Sequence, residues 1–293
     1  MLTPGRFRQL LAFDERTVEL LSSAAEHRDG YVLERLRLRI GANEVRGMLT
    51  RPVGATGRLP AILYGHSHGC LYHLGADELL LGREYLLDPL GPALSRVGYV
   101  TLCIDMPVFG ERATVTEAFA SKALLWRGKS LIGEMVGDHQ AALSYLLTRP
   151  DVDPQRVGAF GISMGCTLSF WLAAIDPRIA ATAHLCCFAD LRTMIELGAH
   201  DGHGIYLIVP GLLNEADTGD IAALVAPRPQ LICVGEADHL TPVPAVDRAW
   251  VQVETAYAAN RDRVTLIREP GVGHRETPKM RAAALDFFRK SIG

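Results

Sequence analysis

One short motif in the sequence combines the residue types that nucleophilic chemistry requires. Residues 161–165 read Gly-Ile-Ser-Met-Gly, between an apolar, β-prone run at 156–160 and an apolar, helix-like run at 166–174. A glycine at each end of the motif permits a sharp strand-to-helix turn, and such a turn exposes the hydroxyl of the central serine. The motif therefore predicts Ser163 as a nucleophile, with a plain glycine-rich turn as the alternative.

A serine hydroxyl is a weak nucleophile, so it needs a base and an acid that orients the base. After Ser163, Asp238 follows the apolar run at 229–234, and His274 ends a Gly-Val-Gly-His loop after the run at 264–267. The carboxyl ends of parallel strands meet at one edge of a sheet, so these three side chains are expected to come together. The predicted catalytic set is Ser163, His274 and Asp238.

The loop that carries Asp238 offers a second acid and a second histidine. Glu236 lies two residues earlier and is the competing candidate for the orienting acid. His239 is adjacent to Asp238 and is predicted to have no part in the chemistry. For Asp238 and His274, the alternatives are an exposed loop carboxylate and a surface histidine.

Stabilisation of a developing oxyanion requires two backbone N–H groups aimed at one point. One is expected from Met164, the residue after the nucleophile, and the other from a loop after an earlier strand. Residues 64–69, Tyr-Gly-His-Ser-His-Gly, form that loop, and they predict the backbone of His66 as the second donor. A metal held by the His66 and His68 rings is the alternative, but no further ligand set completes it in sequence. We therefore predict neither a metal nor a cofactor.

The elements that must position these residues follow an alternating pattern. An N-terminal helix is predicted over residues 15–25, followed by an antiparallel hairpin of residues 31–40 and 44–51 around a turn at 41–43. Short runs that are apolar on both faces then predict parallel strands at 60–64, 99–104, 156–160, 229–234 and 264–267. Helices are predicted between or after them at 76–85, 131–147, 166–174, 244–259 and 278–290. Asp105 is expected to anchor the turn after its strand.

Composition limits the classes of protein that the chain can belong to. The 293 residues are 48% hydrophobic, and the net charge is −3 with both signs interspersed, so nucleic acid and anionic membranes are not expected partners. No apolar run approaches the roughly 18 residues that span a bilayer, and residues 1–8 lack the apolar core of a secretion signal, which predicts a cytoplasmic protein. The six cysteines show no CxxC spacing and are expected to be reduced, although Cys186-Cys187 leaves a redox or metal pair open.

These residues together resemble the α/β-hydrolase superfamily and, within it, the dienelactone-hydrolase-like and acetyl-xylan-esterase-like group. The resemblance runs from about residue 60 to the C-terminus and is most specific at 105–112, 149–158 and 220–229. It implies a mostly parallel central sheet with helices on both faces, preceded here by the antiparallel hairpin. Ser163 stands where dienelactone hydrolases carry a cysteine nucleophile, so their lactone substrate is not carried over.

The resemblance and the motifs together predict a serine esterase that cleaves small carboxylic esters. The alternatives are a peptidase or amidase with the same catalytic residues, and a ligand-binding protein of the same fold without turnover. Residues 1–293 are expected to form one domain, with a cap-like insertion at about 186–226 that covers the site.

Overall fold

The computed structural model describes residues 2–293, and its framework is one nine-stranded sheet. In chain order the strands are β1 (Val18–Arg28), β2 (Tyr31–Ile40), β3 (Asn43–Pro52), β4 (Leu59–Gly65), β5 (Val100–Ile104), β6 (Val152–Ile162), β7 (Ala181–Leu185), β8 (Gln230–Gly235) and β9 (Val264–Glu269). Their order across the sheet is β1-β2-β3-β5-β4-β6-β7-β8-β9. The first three strands are antiparallel and join the rest through the antiparallel pair of β3 and β5, whereas β4 to β9 run parallel.

Helices connect the parallel strands, as crossovers between parallel strands require. In chain order the α-helices of the described residues are α1 (Pro4–Leu11), α2 (Glu78–Leu81), α3 (Leu90–Arg96), α4 (Glu117–Leu125), α5 (Leu131–Thr148), α6 (Met164–Ile175), α7 (Leu191–Glu196), α8 (Thr218–Ala223), α9 (Val243–Ala256) and α10 (Pro278–Ser291). The mixed sheet with its N-terminal antiparallel strands confirms the predicted fold class.

The sheet is covered on both faces because its central strands are apolar on both faces. On β4, Leu63 packs into the layer that contains α1, α5, α6, α8 and α9. Its neighbours Ile62 and Tyr64 point the other way, into the layer that contains α2, α3 and α10. This alternation buries a continuous core on each side, and it leaves the carboxyl ends of the parallel strands at one edge.

The helix predicted over residues 15–25 is wrong, because this segment is the edge strand β1. Val18, Leu21 and Ala25 share a face at helical spacing, but β1 pairs along its length with β2, from Val18 opposite Ile40 to Arg28 opposite Tyr31. Most residues of the segment are exposed, so the segment has no apolar face that packs against the core as an amphipathic helix would. The ladder of backbone hydrogen bonds to β2 overrides the weak helical pattern.

The sequence patterns also missed several short elements. Strand β7 contains His184 and Thr182, which masked its apolar character, although both side chains are fully buried. Helix α1, which Thr3 caps, was not predicted either. The helix predicted at 76–85 extends only over Glu78–Leu81. No helix of residues 2–293 has the length and apolar character needed to cross a membrane.

The segment predicted to be an insertion, residues 186–226, lies beyond β7 at the same edge as the strand ends. It contains α7, three 3₁₀ turns and α8. Helix α8 packs on α6 and α9, and the turn Ile205–Leu207 packs on α4. These contacts place the middle of the segment next to the loop that follows β4.

Candidate active site

Ser163 lies in the turn between β6 and α6, in a backbone conformation that few non-glycine residues adopt. Its φ is 59° and its ψ is −122°. Such a conformation costs about 1–3 kcal/mol and persists only where surrounding contacts hold it. One such contact is the hydrogen bond that the Ser163 N–H donates to the Leu185 carbonyl at 2.9 Å. The side chain is partly exposed, as a nucleophile requires.

The two glycines of the motif are needed because backbone segments touch beneath the turn. A Cβ on Gly165 would overlap the carbonyl oxygen of Gly65, the last residue of β4. A Cβ on Gly161 would overlap the backbone of Gly165. The first turn of α6 can therefore lie against the end of β4, which brings Ser163 beside the loop that begins at His66.

The structure brings His274 and Asp238 into direct contact. The Nδ1–H of His274 donates to Oδ2 of Asp238 at 2.7 Å. The loops that carry them also touch, since the Ala237 N–H donates to the Val272 carbonyl at 2.9 Å. The Asp238 side chain is fully buried, whereas 17% of the His274 side chain is exposed. This bond fixes the tautomer of the imidazole and leaves Nε2 free to accept a proton.

Asp238 receives further hydrogen bonds that favour its ionised form. Its Oδ1 accepts from the Leu240 N–H at 3.0 Å, and its Oδ2 accepts from the Thr241 hydroxyl at 3.0 Å. Burial opposes ionisation of Asp238, but the His274 hydrogen bond and charge, with these two donors, hold the pKa of the carboxyl below its usual range. Thr241 was not among the predicted site residues, and its position three residues after the aspartate was the only signal for it in the sequence.

Neither of the other titratable residues of this loop contacts His274 in the structure. Glu236 is partly exposed and pairs with Arg268, with 3.7 Å between the carboxylate and Nε. His239 is exposed. Of the two acids that the sequence offered, Asp238 is thus the one bonded to the imidazole.

The environment of His274 changes the pKa of its imidazole. Burial disfavours the imidazolium, but the hydrogen bond and negative charge of Asp238, together with the nearby Cys187, outweigh burial and raise the pKa above 6.5. The edge of the Tyr85 ring packs against the imidazole, with 6.0 Å between the ring centroids.

The predicted oxyanion-hole residues lie on either side of the turn at Ser163. Met164 is the first residue of α6, where a backbone N–H has no partner within the helix. His66 directly follows Gly65, whose backbone packs on Gly165. Both residues are buried.

The imidazoles of His66 and His68 are already engaged by protein groups. Nε2 of His66 accepts from the Met106 N–H at 3.2 Å. Nδ1 of His68 accepts from the Cys70 N–H at 3.2 Å, and its Nε2 lies 2.5 Å from the Glu117 carboxylate. The lone pair of each ring is therefore occupied by a backbone donor. Among residues 2–293, no three His, Cys, Asp or Glu side chains are grouped so that they could hold a metal ion.

A buried ion pair supports the loop that contains His66, and no sequence motif indicated it. Glu78 and Arg83, whose side chains are 1% and 3% exposed, pair at 3.2 Å. Glu78 accepts from the Ser67 N–H at 3.0 Å, and Arg83 donates through Nη2 to the His68 carbonyl at 2.8 Å. These contacts fix the backbone of the loop beside Ser163.

Asp105 serves as the structural anchor that the sequence analysis expected. Its buried carboxylate accepts from the N–H groups of Ala76 at 2.7 Å and Glu111 at 3.0 Å, and it pairs with Arg46 at 2.9 Å. It therefore ties the turn after β5 to the segment before α2.

A cavity of about 330 Å³ lies beside the His66 loop. The loop contributes His68, Cys70 and Tyr72 to its walls, helix α4 contributes Glu117, and residues 202–205 contribute His203 and its neighbours. The cavity is therefore bounded in part by the predicted insertion.

Comparison with known proteins identifies relatives along most of the chain. The model of the dienelactone hydrolase family matches residues 89–276, which include Ser163, Asp238 and His274. The YtaP protein of Bacillus subtilis (strain 168), which is named as a hydrolase, is 35% identical over 281 residues, covering 94% of each chain. Esterase FrsA of Klebsiella pneumoniae (strain 342) is 34% identical over 215 residues, covering 72% of this chain and 45% of FrsA.

Solved structures agree on the fold. Acetyl xylan esterase 1 from Thermoanaerobacterium sp. JW/SL YS485 superposes with a TM-score of 0.69 at 16% identity, covering 99% of this chain and 92% of that one. At this identity the likeness concerns the fold alone. The family match and the similarity to YtaP along 94% of the chain show the family itself. The chain belongs to the dienelactone hydrolase family of α/β hydrolases.

Proposed function

We propose that this hydrolase is a serine carboxylesterase in which Ser163 is the nucleophile, His274 the general base and Asp238 the acid that orients the base. The observation that carries the proposal is the 2.7 Å hydrogen bond between His274 Nδ1 and Asp238. It occurs at the sheet edge where Ser163 occupies a left-handed turn. The names of the FrsA relative and of the similar structure add support for ester hydrolysis.

The proposed reaction proceeds through an acyl-enzyme. Ser163 Oγ attacks the ester carbonyl while His274 Nε2 takes its proton, and Asp238 stabilises the imidazolium. The N–H groups of Met164 and His66 bind the oxyanion of the tetrahedral intermediate. As the intermediate collapses, His274 gives the proton to the departing alcohol. Water then attacks the acyl-enzyme by the same route and releases the acid.

The proposed substrates are small esters, and the space available next to the His66 loop agrees with this, although Ser163 and His274 do not line it. The cavity beside the His66 loop is at the lower end of the range typical of small-molecule pockets, about 300–1,000 Å³. Its wall includes the Glu117 carboxylate, so a neutral alcohol or acyl group suits it better than an anionic one.

A substrate panel tests the proposed function. We expect p-nitrophenyl esters of short acids to be hydrolysed with kcat/KM at least about 100-fold above that for aminoacyl anilides, because the aniline of an anilide is a far poorer leaving group than p-nitrophenolate. A preference for anilides would identify a peptidase or amidase instead. Binding of esters without turnover would favour the non-catalytic alternative.

The pH dependence should reflect the raised pKa of His274. The imidazole accepts a proton only when neutral, so kcat/KM should fall as the pH drops through the pKa of His274. Because Asp238 raises that pKa, the midpoint should lie above 6.5, and the residual activity of Asp238→Asn should have a lower midpoint. We would measure kcat/KM for one ester in both proteins across the pH range. A midpoint that stays in place in Asp238→Asn would contradict the assignment.

A further inference from the structure

A cluster of three cysteines lies next to the candidate active site, and the proposed reaction does not use it. Cys186 and Cys187 directly follow β7, and Cys166 lies in the first turn of α6. Cys166 and Cys186 are buried, whereas Cys187 is partly exposed. Cys187 is therefore the residue of the cluster with surface open to solvent.

Hydrogen bonds place the Cys187 thiol within one helical turn of Ser163. The Thr167 hydroxyl donates to Cys187 Sγ at 3.4 Å, and the Thr167 N–H donates to the Ser163 carbonyl at 3.3 Å. On the other side, Cys186 Sγ contacts the Arg275 carbonyl at 3.6 Å, next to His274. Cys187 thus contacts the helix that begins after the nucleophile, while its neighbour Cys186 contacts the loop that carries the base.

The groups around Cys187 favour its thiolate. The nearby Cys166 thiol favours the thiolate most, and His203, the Thr167 hydroxyl and His274 add to its effect; against burial, these groups lower the pKa of Cys187 to about 6. In Cys233, burial together with the nearby Glu269 and Glu276 carboxylates raises the thiol pKa to about 12. Of the partly or fully exposed thiols, Cys70 lies outside this cluster and provides a matched comparison.

We propose that Cys187 is a reactive thiol of the candidate active site, and that its alkylation by a small uncharged electrophile stops ester hydrolysis. In the reaction with an α-halo amide, Cys187 Sγ forms a bond to carbon, the carbon–halogen bond breaks, and halide leaves. The thiol proton passes to solvent. The added group occupies space within one helical turn of Ser163, so it competes with the substrate for that space. The predicted loss of activity rests on the proposed function, whereas the predicted reactivity of the Cys187 thiol does not.

The test is alkylation with iodoacetamide at about pH 6.5, followed by peptide mass spectrometry and by assay of the remaining esterase rate. We expect Cys187 to be alkylated on the order of fivefold faster than Cys70, since more thiolate outweighs its lower nucleophilicity. The rate of hydrolysis should fall in proportion to the modified fraction of Cys187.

Variants distinguish the effects of alkylation at Cys70 and at Cys187. The rate of each treated protein is compared with the rate of the same protein before treatment. Cys70→Ser should still be inactivated, whereas the double variants of Cys70→Ser with Cys187→Ser or Cys187→Ala should keep their untreated rates. Ser163→Ala should alkylate Cys187 at the wild-type rate, so the thiol is tested even if Ser163 is not the nucleophile. Alkylation of Cys187 no faster than that of Cys70 would overturn the proposal. Full alkylation of Cys187 with the rate unchanged would overturn it too.

Discussion

Replacing Ser163 with alanine is expected to lower kcat for ester hydrolysis by about 10⁵- to 10⁶-fold, because the nucleophile of the proposed reaction is removed. Alanine has the same Cβ as serine, so the left-handed turn at Ser163 is no more strained in the variant. The fold should therefore remain intact. We would measure kcat with a p-nitrophenyl ester and follow thermal unfolding by circular dichroism.

Ser169→Ala is the matched control for that variant. Ser169 lies on the same helix and donates through its hydroxyl to the Gly165 carbonyl at 2.7 Å, so its loss removes a structural hydrogen bond. We expect a change in kcat of at most several-fold, with a loss of stability of about 1 kcal/mol. Near-normal activity in a folded Ser163→Ala protein would show that another residue is the nucleophile.

Asp238→Asn should lower kcat by about 10⁴-fold while leaving the fold in place. The amide of asparagine can donate to Nδ1 of His274, which stabilises the tautomer that has no free lone pair at Nε2. Glu236→Gln, in the same loop, should change kcat by no more than a few-fold, because Glu236 pairs with Arg268. Steady-state kinetics of the two variants decide between the acids, and the opposite ranking would transfer the role to Glu236.

Much of the framework of the site could be predicted because the local sequence patterns agree with the positions that the strands and helices take in the fold. The second half of β6 and most of α6 are apolar and buried, and the glycines between them permit the sharp turn that connects them. Each of the loops after β8 and β9 follows an apolar strand, and both loops come after Ser163 in the chain. The parallel sheet then brings Asp238 and His274 to one edge, where they form the hydrogen bond described above.

The supporting contacts could not be predicted, because they join segments that are distant in sequence and lack periodicity. Glu78 begins the one-turn helix α2 and Arg83 follows it, and in the sequence a buried ion pair cannot be told from a solvated one. Glu117 accepts from the Tyr206 N–H at 2.9 Å across 89 residues, which no spacing reveals. Cys187 likewise gains its surroundings from α6 and from the His274 loop.

The error at residues 15–25 has a similar origin. An edge strand that is exposed on both faces has no alternating burial pattern, so its sequence contains no strand signal of period two. Its structure depends on the pairing of backbone groups with β2, and any sequence without proline can supply these groups.

The central claim, that Ser163 is a nucleophile activated by His274, is tested most directly by covalent labelling with a fluorophosphonate. The protein is incubated with a small excess of reagent, digested, and analysed by mass spectrometry of its peptides, with His274→Ala treated in parallel. We predict one phosphonyl group per chain, on Ser163, in the native protein, and labelling slower by several orders of magnitude in His274→Ala. An unlabelled native protein, or an adduct on a residue other than Ser163, would contradict the claim.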